Sequence, residues 1–446
     1  MFVRLLDSTI VREVAQGAQI VNLETGEDCV VNATGLSFLR VLNGSVQSID
    51  MLAETLHSTT FQEIPINELK KDVIDFLKLL HSNNFVSITE DKKEIDKYAL
   101  ENLHVEITMR CNERCVHCYL PNSIKDEGIQ MSYDKFCHIV DEFVALGGQR
   151  ITISGGEPLL HESIIPMLYY CNTKGLVVDL YSNLVLTNEK LIETLMSVNV
   201  GLVQVSVYSL DPKIHDYITG REGSLSKTKA AIEHLVAAKI PIQIVTPVMS
   251  QNKDAIPALM EFTKKHEIRL RTNSLIIPQT NGNSSFATTN SLTLKQKECM
   301  ICSMLKKDAD YTKGQLLELK NNSEELYKNP KMFLQVGVCS AGINGCSISP
   351  AGDVFPCPEW QSYILGNLSE NTLEEIWYNS TSLKLLRQIN KQKNYPQCLT
   401  CKAIDYCKRC FVANELANKG ELLRINNANC EYAFLVKSLV EIKHND

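Results

Sequence analysis

Three cysteines, Cys111, Cys115 and Cys118, lie in "CNERCVHCYL" with the spacing CxxxCxxC. A closed structural zinc site takes four protein ligands, whereas a catalytic site keeps a position open. Iron–sulfur cubanes are held by thiolates, ordinarily four. Three thiolates in one short loop therefore imply a metal centre with a place for something that is not protein. A zinc loop is the alternative reading of the same residues. A second stretch, "SGGEPLL" (154–160), has Gly155 and Gly156, which let backbone approach a ligand closely, and Glu157, which can accept a hydrogen bond from an ammonium group. A third is the C-terminal series Cys339, Cys346, Cys357, Cys398, Cys401, Cys407, Cys410 and Cys430. Its pattern is Cx6Cx10C, then CxxCx5CxxC, then a single cysteine, with Gly352 in the turn "SPAGDVFPC". CxxC pairs suit zinc as well as iron–sulfur clusters.

Composition narrows the setting. The chain has 446 residues, 44% hydrophobic and 22% charged, enough for several globular domains. A formal net charge of −7 argues against a broad basic face for nucleic acid. No apolar run reaches the length of a membrane span, and "MFVRLLDSTIVREV" carries Asp7 and Glu13, unlike a signal peptide. A cytoplasmic protein is the simplest expectation, and there 16 cysteines in clusters point to metal rather than disulfides. Cys29, Cys137 and Cys171 read as buried small hydrophobes. Cys299 and Cys302 lie one turn apart on a helix pattern, where a redox or hydrogen-donor role is a minority reading.

The elements that must position these residues fall into five parts. Residues 1–90 read as strands "TIVREV", "AQIVNL" and "DCVVN" followed by three helices, a winged-helix-like arrangement. The first helix is capped by Asn32 or Thr34 and stopped at Gly44; the third places Leu69, Val73, Phe76, Leu77 and Leu80 on one face. Residues 91–102 are a charged linker. From 103 to 285, strands "LHVEITM", "RITIS", "LVVDLYS", "LVQVSVY", "IQIVTPV" and "RLRTNSLII" alternate with amphipathic helices. That alternation predicts an α/β fold with a parallel sheet, a partial (β/α)6 barrel. Active groups gather at the C-terminal ends of such strands, where the cysteine loop and "SGGE" both fall. Residues 286–335 form a bridging region, and 336–446 a small cysteine-rich domain held by metal.

CxxxCxxC after the first strand of a six-unit βα array resembles the radical S-adenosylmethionine (SAM) superfamily. The resemblance implies that Cys111, Cys115 and Cys118 hold a 4Fe–4S cluster whose fourth iron is chelated by SAM. It implies a 5′-deoxyadenosyl radical that removes a hydrogen atom from substrate. Gly155, Gly156 and Glu157 match the GGE motif that holds the methionine amino group. Ser182, Asn183 and Ser206 fall where relatives contact methionyl or ribose, Arg221 could pair the methionine carboxylate, and Tyr119 could pack near adenine. The C-terminal series resembles the SPASM extension. This implies two auxiliary 4Fe–4S clusters, one on Cys339, Cys346, Cys357 and Cys410 and one on Cys398, Cys401, Cys407 and Cys430. If Cys346 is not a ligand, the first has an open iron. Glu359 could act as a base beside it.

Residues 1–90 resemble the precursor-recognition element (RRE) of ribosomal-peptide (RiPP) maturases, on "VNATGLSFLRVLNG" and "SIDMLAETL". That implies a leader peptide added as a strand near Asp28–Asn32, in the groove by Leu69–Leu80. The expectation is a peptide maturase that installs a cross-link, a Cys sulfur-to-carbon thioether, with flavodoxin or ferredoxin as reductant and neither nucleic acid nor membrane as partner. Carbon–carbon or carbon–oxygen cross-linking, epimerisation, and activation of a protein substrate are alternatives. A redox-sensing DNA-binding regulator is the alternative from another class.

Overall fold

The computed structural model describes residues 1–446 except 7, 24, 43–46, 91–97, 127, 318–333, 335–336 and 442–446. The stop at Gly44, much of the linker and much of the bridging region lie outside the described residues. Among those described, no helix is long and apolar enough to cross a membrane.

The first unit has β1 (Phe2–Leu5), β2 (Thr9–Val14), β3 (Gly17–Asn22), β4 (Asp28–Asn32), α1 (Ala33–Val41), β5 (Gln47–Ser48), α2 (Ile49–Thr59), α3 (Ile66–Ser82) and β6 (Val86–Thr89). The strands make two three-stranded sheets, β5-β1-β6 and β2-β3-β4. Asn32 caps α1 by accepting from Gly35 N at 2.9 Å. Leu69, Val73, Leu77 and Leu80 of α3 are buried with Val3, Ile20, Phe38 and Leu56 in a core of this unit's own. The apolar period of 3.6 in α3 is what selects that face.

Six parallel strands follow: β7 (Asn102–Glu106), β8 (Arg150–Ser154), β9 (Val177–Tyr181), β10 (Val200–Ser206), β11 (Ile242–Pro247) and β12 (Arg269–Asn273). Between them run α4 (Tyr133–Ala145), α5 (Ile164–Thr173), α6 (Glu189–Ser197), α7 (Pro212–Thr219), α8 (Ser224–Ala237) and α9 (Ile256–Lys265). Each strand pairs in parallel with its sequence neighbour, as helical crossover connections allow. Val105, Ile153, Val178, Leu180, Val203 and Ile244 lie buried in the main core.

The sheet does not end at β7. β13 (Gly345–Ile348) pairs parallel to it, with Cys346 opposite Leu103, and β14 (Asp353–Phe355) and β15 (Gly366–Asn367) continue antiparallel. Nine strands result, in the order β12-β11-β10-β9-β8-β7-β13-β14-β15. The C-terminal region is thus built onto the barrel's first strand.

Candidate active site

The cysteine loop leaves β7 and is fastened on two sides. On one, Lys125, Ile129 and Met131 return alongside it: Met131 N donates to Ile107 O at 2.8 Å, Met109 N to Ile129 O at 2.9 Å and Cys111 N to Lys125 O at 3.0 Å. On the other lies the glycine turn after β8. Gly156 N donates to Thr108 O at 2.6 Å and Glu157 N to Arg110 O at 2.8 Å. A Cβ on Gly155 or Gly156 would stand 2.3 Å from the Thr108 or Arg110 carbonyl oxygen, and Gly155 has φ +147°. Only glycine permits that approach, and it sets Glu157 beside the cysteines.

Glu157 is buried, and its carboxylate is oriented from three directions. Oε1 accepts from Leu159 N at 2.9 Å and Ser182 Oγ at 2.8 Å, and Oε2 accepts from Asn183 N at 2.8 Å. A carboxylate offers about four acceptor sites, so Oε2 keeps one for an incoming donor. Burial pushes Glu157 up to about 7 against those hydrogen bonds. Asn183 Nδ2 donates to Asn112 Oδ1 at 2.7 Å, tying the turn after β9 to the cysteine loop. Arg221 Nη1 donates to Asn112 O at 2.9 Å, so its guanidinium braces the loop. Ser206 ends β10 and bonds the Tyr208 phenol, which also meets His117 Nε2 at 2.9 Å. Tyr119 turns its hydroxyl inward to Glu106, which also accepts from Gln361 Nε2 at 3.2 Å. Burial raises the Tyr119 phenol well above its ordinary range and Glu106 to about 7.

Within the loop, burial pushes Cys111 up to about 12 and Cys115 well above the usual thiol range. Such thiols stay protonated until a metal displaces the proton. Glu113 is buried too, accepting from Ser224 Oγ at 2.5 Å and from the Cys115 thiol at 3.7 Å. Among the described residues, Asn112 Nδ2 and Lys125 Nζ are buried without a hydrogen-bond partner. Also among them, no three His, Cys, Asp or Glu side chains are gathered tightly enough to hold a single metal ion. A cubane distributes its thiolates over separate irons rather than gathering them on one. Three thiols, a buried cation and a carboxylate with a spare acceptor fit an anionic cluster bearing an amino-acid ligand.

The C-terminal cysteines form two groups. Cys398, Cys401, Cys407 and Cys430 lie within electrostatic reach of one another, with the Arg409 guanidinium beside Cys398 and Cys407. Burial raises Cys407 to about 11. Cys339, Cys357 and Cys410 form the second group, together with the Glu359 carboxylate. Asn390 Oδ1 accepts from Cys339 N at 3.1 Å, and its amide donates to Cys339 O at 2.8 Å. Cys346, expected with this group, stands apart. The ladder with β7 places it in the core, where burial pushes its thiol up to about 12 and Arg387 is the charged group that bears on it. Glu359 is solvent-accessible, and the protein packed around it raises its carboxyl while Arg271 of β12 opposes.

Sequence reasoning missed Glu106, Glu113, His117, Lys125, Ser224 and Gln361. Glu113 and His117 occupy the variable positions of CxxxCxxC, and Glu106 interrupts an apolar strand, so those three carried a signal. Lys125 in "SIKDEG" reads as an ordinary surface lysine.

The profile of the radical SAM superfamily matches residues 105–263, and that of the SPASM iron–sulfur cluster-binding domain matches residues 339–402. The AdoMet-dependent heme synthase of Methanosarcina barkeri is 27% identical over 327 residues, 71% of this chain and 93% of that protein. The mycofactocin maturase MftC of Mycolicibacterium smegmatis is 24% identical over 307 residues, 68% of this chain and 76% of that protein. The crystal structure of Streptococcus suis SuiB bound to the precursor peptide SuiA superposes with a TM-score of 0.57 at 15% identity, over 95% of this chain and 100% of that one, a likeness of fold. The chain thus carries a radical SAM domain followed by a SPASM domain, and its cofactors are SAM, a 4Fe–4S cluster and auxiliary iron–sulfur clusters.

Proposed function

We propose that this chain is a peptide maturase that binds the leader of a ribosomally made precursor through residues 1–90 and cross-links its core. The observation that carries this reading is the free edge of β4. Among the described residues the strand pairs with β3 alone, and Val30 is 70% exposed. An exposed apolar edge strand is a template for an added strand. The fold likeness to SuiB spans 95% of this chain, so it takes in most of the first unit. MftC, a maturase by name, supports the maturation reading.

Cys111, Cys115 and Cys118 hold the SAM-binding cluster, with Glu157 accepting from the methionine amino group. Cys398, Cys401, Cys407 and Cys430 hold one auxiliary cluster. Cys339, Cys357 and Cys410 hold the other. When bound, these groups supply a 5′-deoxyadenosyl radical and a sink for one electron. Arg221, Asn183 and Ser182 keep the cysteine loop and Glu157 in register. Glu359, exposed and under the influence of the Arg271 charge, takes the proton that leaves as the second hydrogen is lost. The product is lighter by two hydrogens, a thioether between a cysteine sulfur and a carbon. Flavodoxin or ferredoxin supplies reducing electrons.

The test is anaerobic incubation of the reconstituted enzyme with reductant, SAM and a short precursor encoded beside its gene. A mass loss of two hydrogens, with one thiol lost to alkylation, is the expected result. Unchanged peptide with continued 5′-deoxyadenosine formation would overturn the reading. The heme synthase likeness favours a second reading, with a porphyrin in the barrel opening. It calls for conversion of an iron porphyrin under the same conditions, whether or not a peptide is present.

A further inference from the structure

Lys125 is 1% exposed, and among the described residues its ammonium has no hydrogen-bond partner. A buried, unpaired charge is costly, and a long lysine side chain ordinarily escapes to water. This one is held. Its own carbonyl accepts from Cys111 N at 3.0 Å, and the segment around it is bonded to Ile107 and Met109. Gly128 packs so closely that a Cβ there would stand 2.3 Å from Ile124 O.

The groups on which the Lys125 charge bears are Cys111, Cys115, Glu113 and His117. Once iron is bound, both cysteines are thiolates. Arg221 is the other cation bearing on Glu113, and one of its N–H groups is committed to Asn112 O. The loop therefore gathers anionic charge when loaded, and Lys125 is the cation already buried beside it.

We propose that Lys125 is the counter-cation of the loaded site, donating to the anionic unit made by the Cys111–Cys115–Cys118 cluster and the SAM carboxylate. In that role it favours the reduced cluster, because a fixed positive charge in a poorly screened site stabilises an added electron. The inference rests on the cysteine triad as cluster ligand but not on the identity of the substrate.

The experiment uses the anaerobically reconstituted full chain as wild type, Lys125→Met, Lys125→Arg and Cys111→Ala. Iron content, reduction potential by EPR titration with and without SAM, and the Kd of SAM are measured. Iron unchanged in Cys111→Ala would sink the ligand assignment itself, separately from any effect at Lys125. Lys125→Met is expected to keep its iron and to change one of two readouts. If the partner is the cluster, reduction is disfavoured about tenfold, about 59 mV for one electron, with or without SAM. If the partner is the carboxylate, the Kd of SAM rises about tenfold or more while the SAM-free potential holds. Unchanged potential and unchanged Kd would overturn the proposal and leave Lys125 as a local partner of Glu113. Should Lys125→Met lose the cluster, Lys125→Arg decides: retention of the cluster with the charge supports the proposal, and loss in both overturns it.

Discussion

At the residue scale, burial in this barrel sets protonation against habit. His104 on β7 is enclosed between Ser154, whose Oγ lies 2.5 Å from Nε2, and Tyr181, and burial pushes it down to about 4. It is neutral in the folded protein. The unfolded chain, with an ordinary value of 6.5, binds more protons through the interval below that. The His104 contribution to stability is therefore fully present above about pH 6.5 and is lost as pH falls toward 4, at most about 3 kcal/mol. Glu106 and Glu157, both raised from 4.5 to about 7, act in the other sense: their contribution is present below 4.5 and is lost as pH rises toward 7. His104→Asn should flatten the acid limb of a plot of melting temperature against pH between 6.5 and 4. Parallel limbs for the two proteins would show that His104 does not titrate there. The sequence could not have announced this. His104 and Glu106 stand two residues apart in "LHVEITM", and only the enclosing neighbours shift them.

At the element scale, the site is a seam between the extension of β7 and the glycine turn after β8. Gly155→Ala would push a Cβ to 2.3 Å from Thr108 O at φ +147°. That costs about 2 kcal/mol or more and displaces Glu157 from the cysteine loop. Gly147→Ala is the control, because it shares a positive φ (+85°) but meets nothing within 4 Å; its cost is about 1 kcal/mol. Thermal unfolding and SAM cleavage should both suffer in the first variant, and stability alone, slightly, in the second. Equal effects would refute the seam. This level was the most legible in sequence. The strings "RITIS" and "LVVDLYS" are short apolar runs bounded by turns and alternate with helices whose apolar residues recur every three or four positions. A parallel sheet follows from that alternation. What escaped is non-local. β1 pairs with Gln47–Ser48 and Val86–Thr89 across intervening helices, and β13 joins β7 from more than 240 residues away in sequence. Neither pairing leaves a periodic mark in its own segment.

At the scale of the molecule, β13 makes the barrel and the cysteine-rich region one sheet, and Arg387 joins the same two bodies through side chains. Its guanidinium lies 4.4 Å from the ring centres of both Tyr98 and Trp377, and it donates to Gly342 O at 2.8 Å and Trp377 O at 2.9 Å. Trp377 Nε1 in turn donates to Tyr98 O, just ahead of β7, at 2.7 Å. The first unit has a core of its own; Lys384 Nζ reaches Thr9 O at 2.9 Å from the helix Thr381–Ile389, and the Arg4 guanidinium lies 6.0 Å from the Tyr378 ring centre. Cooperative units follow packed cores rather than sequence order. Arg387→Met keeps the apolar stem but leaves the Gly342 and Trp377 carbonyls without that donor, so it should cost about 2 kcal/mol or more. The loss should fall on β7 and β13 together, because neither edge stays paired without the other. Hydrogen exchange by mass spectrometry reads this directly. Amides of β7, β8 and β13 should lose protection in concert in the variant, while those of β2 and β3 keep theirs. Loss confined to β13–β15, with β7 still protected, would mean that the cluster-bearing region opens by itself and that the shared sheet is not one cooperative body.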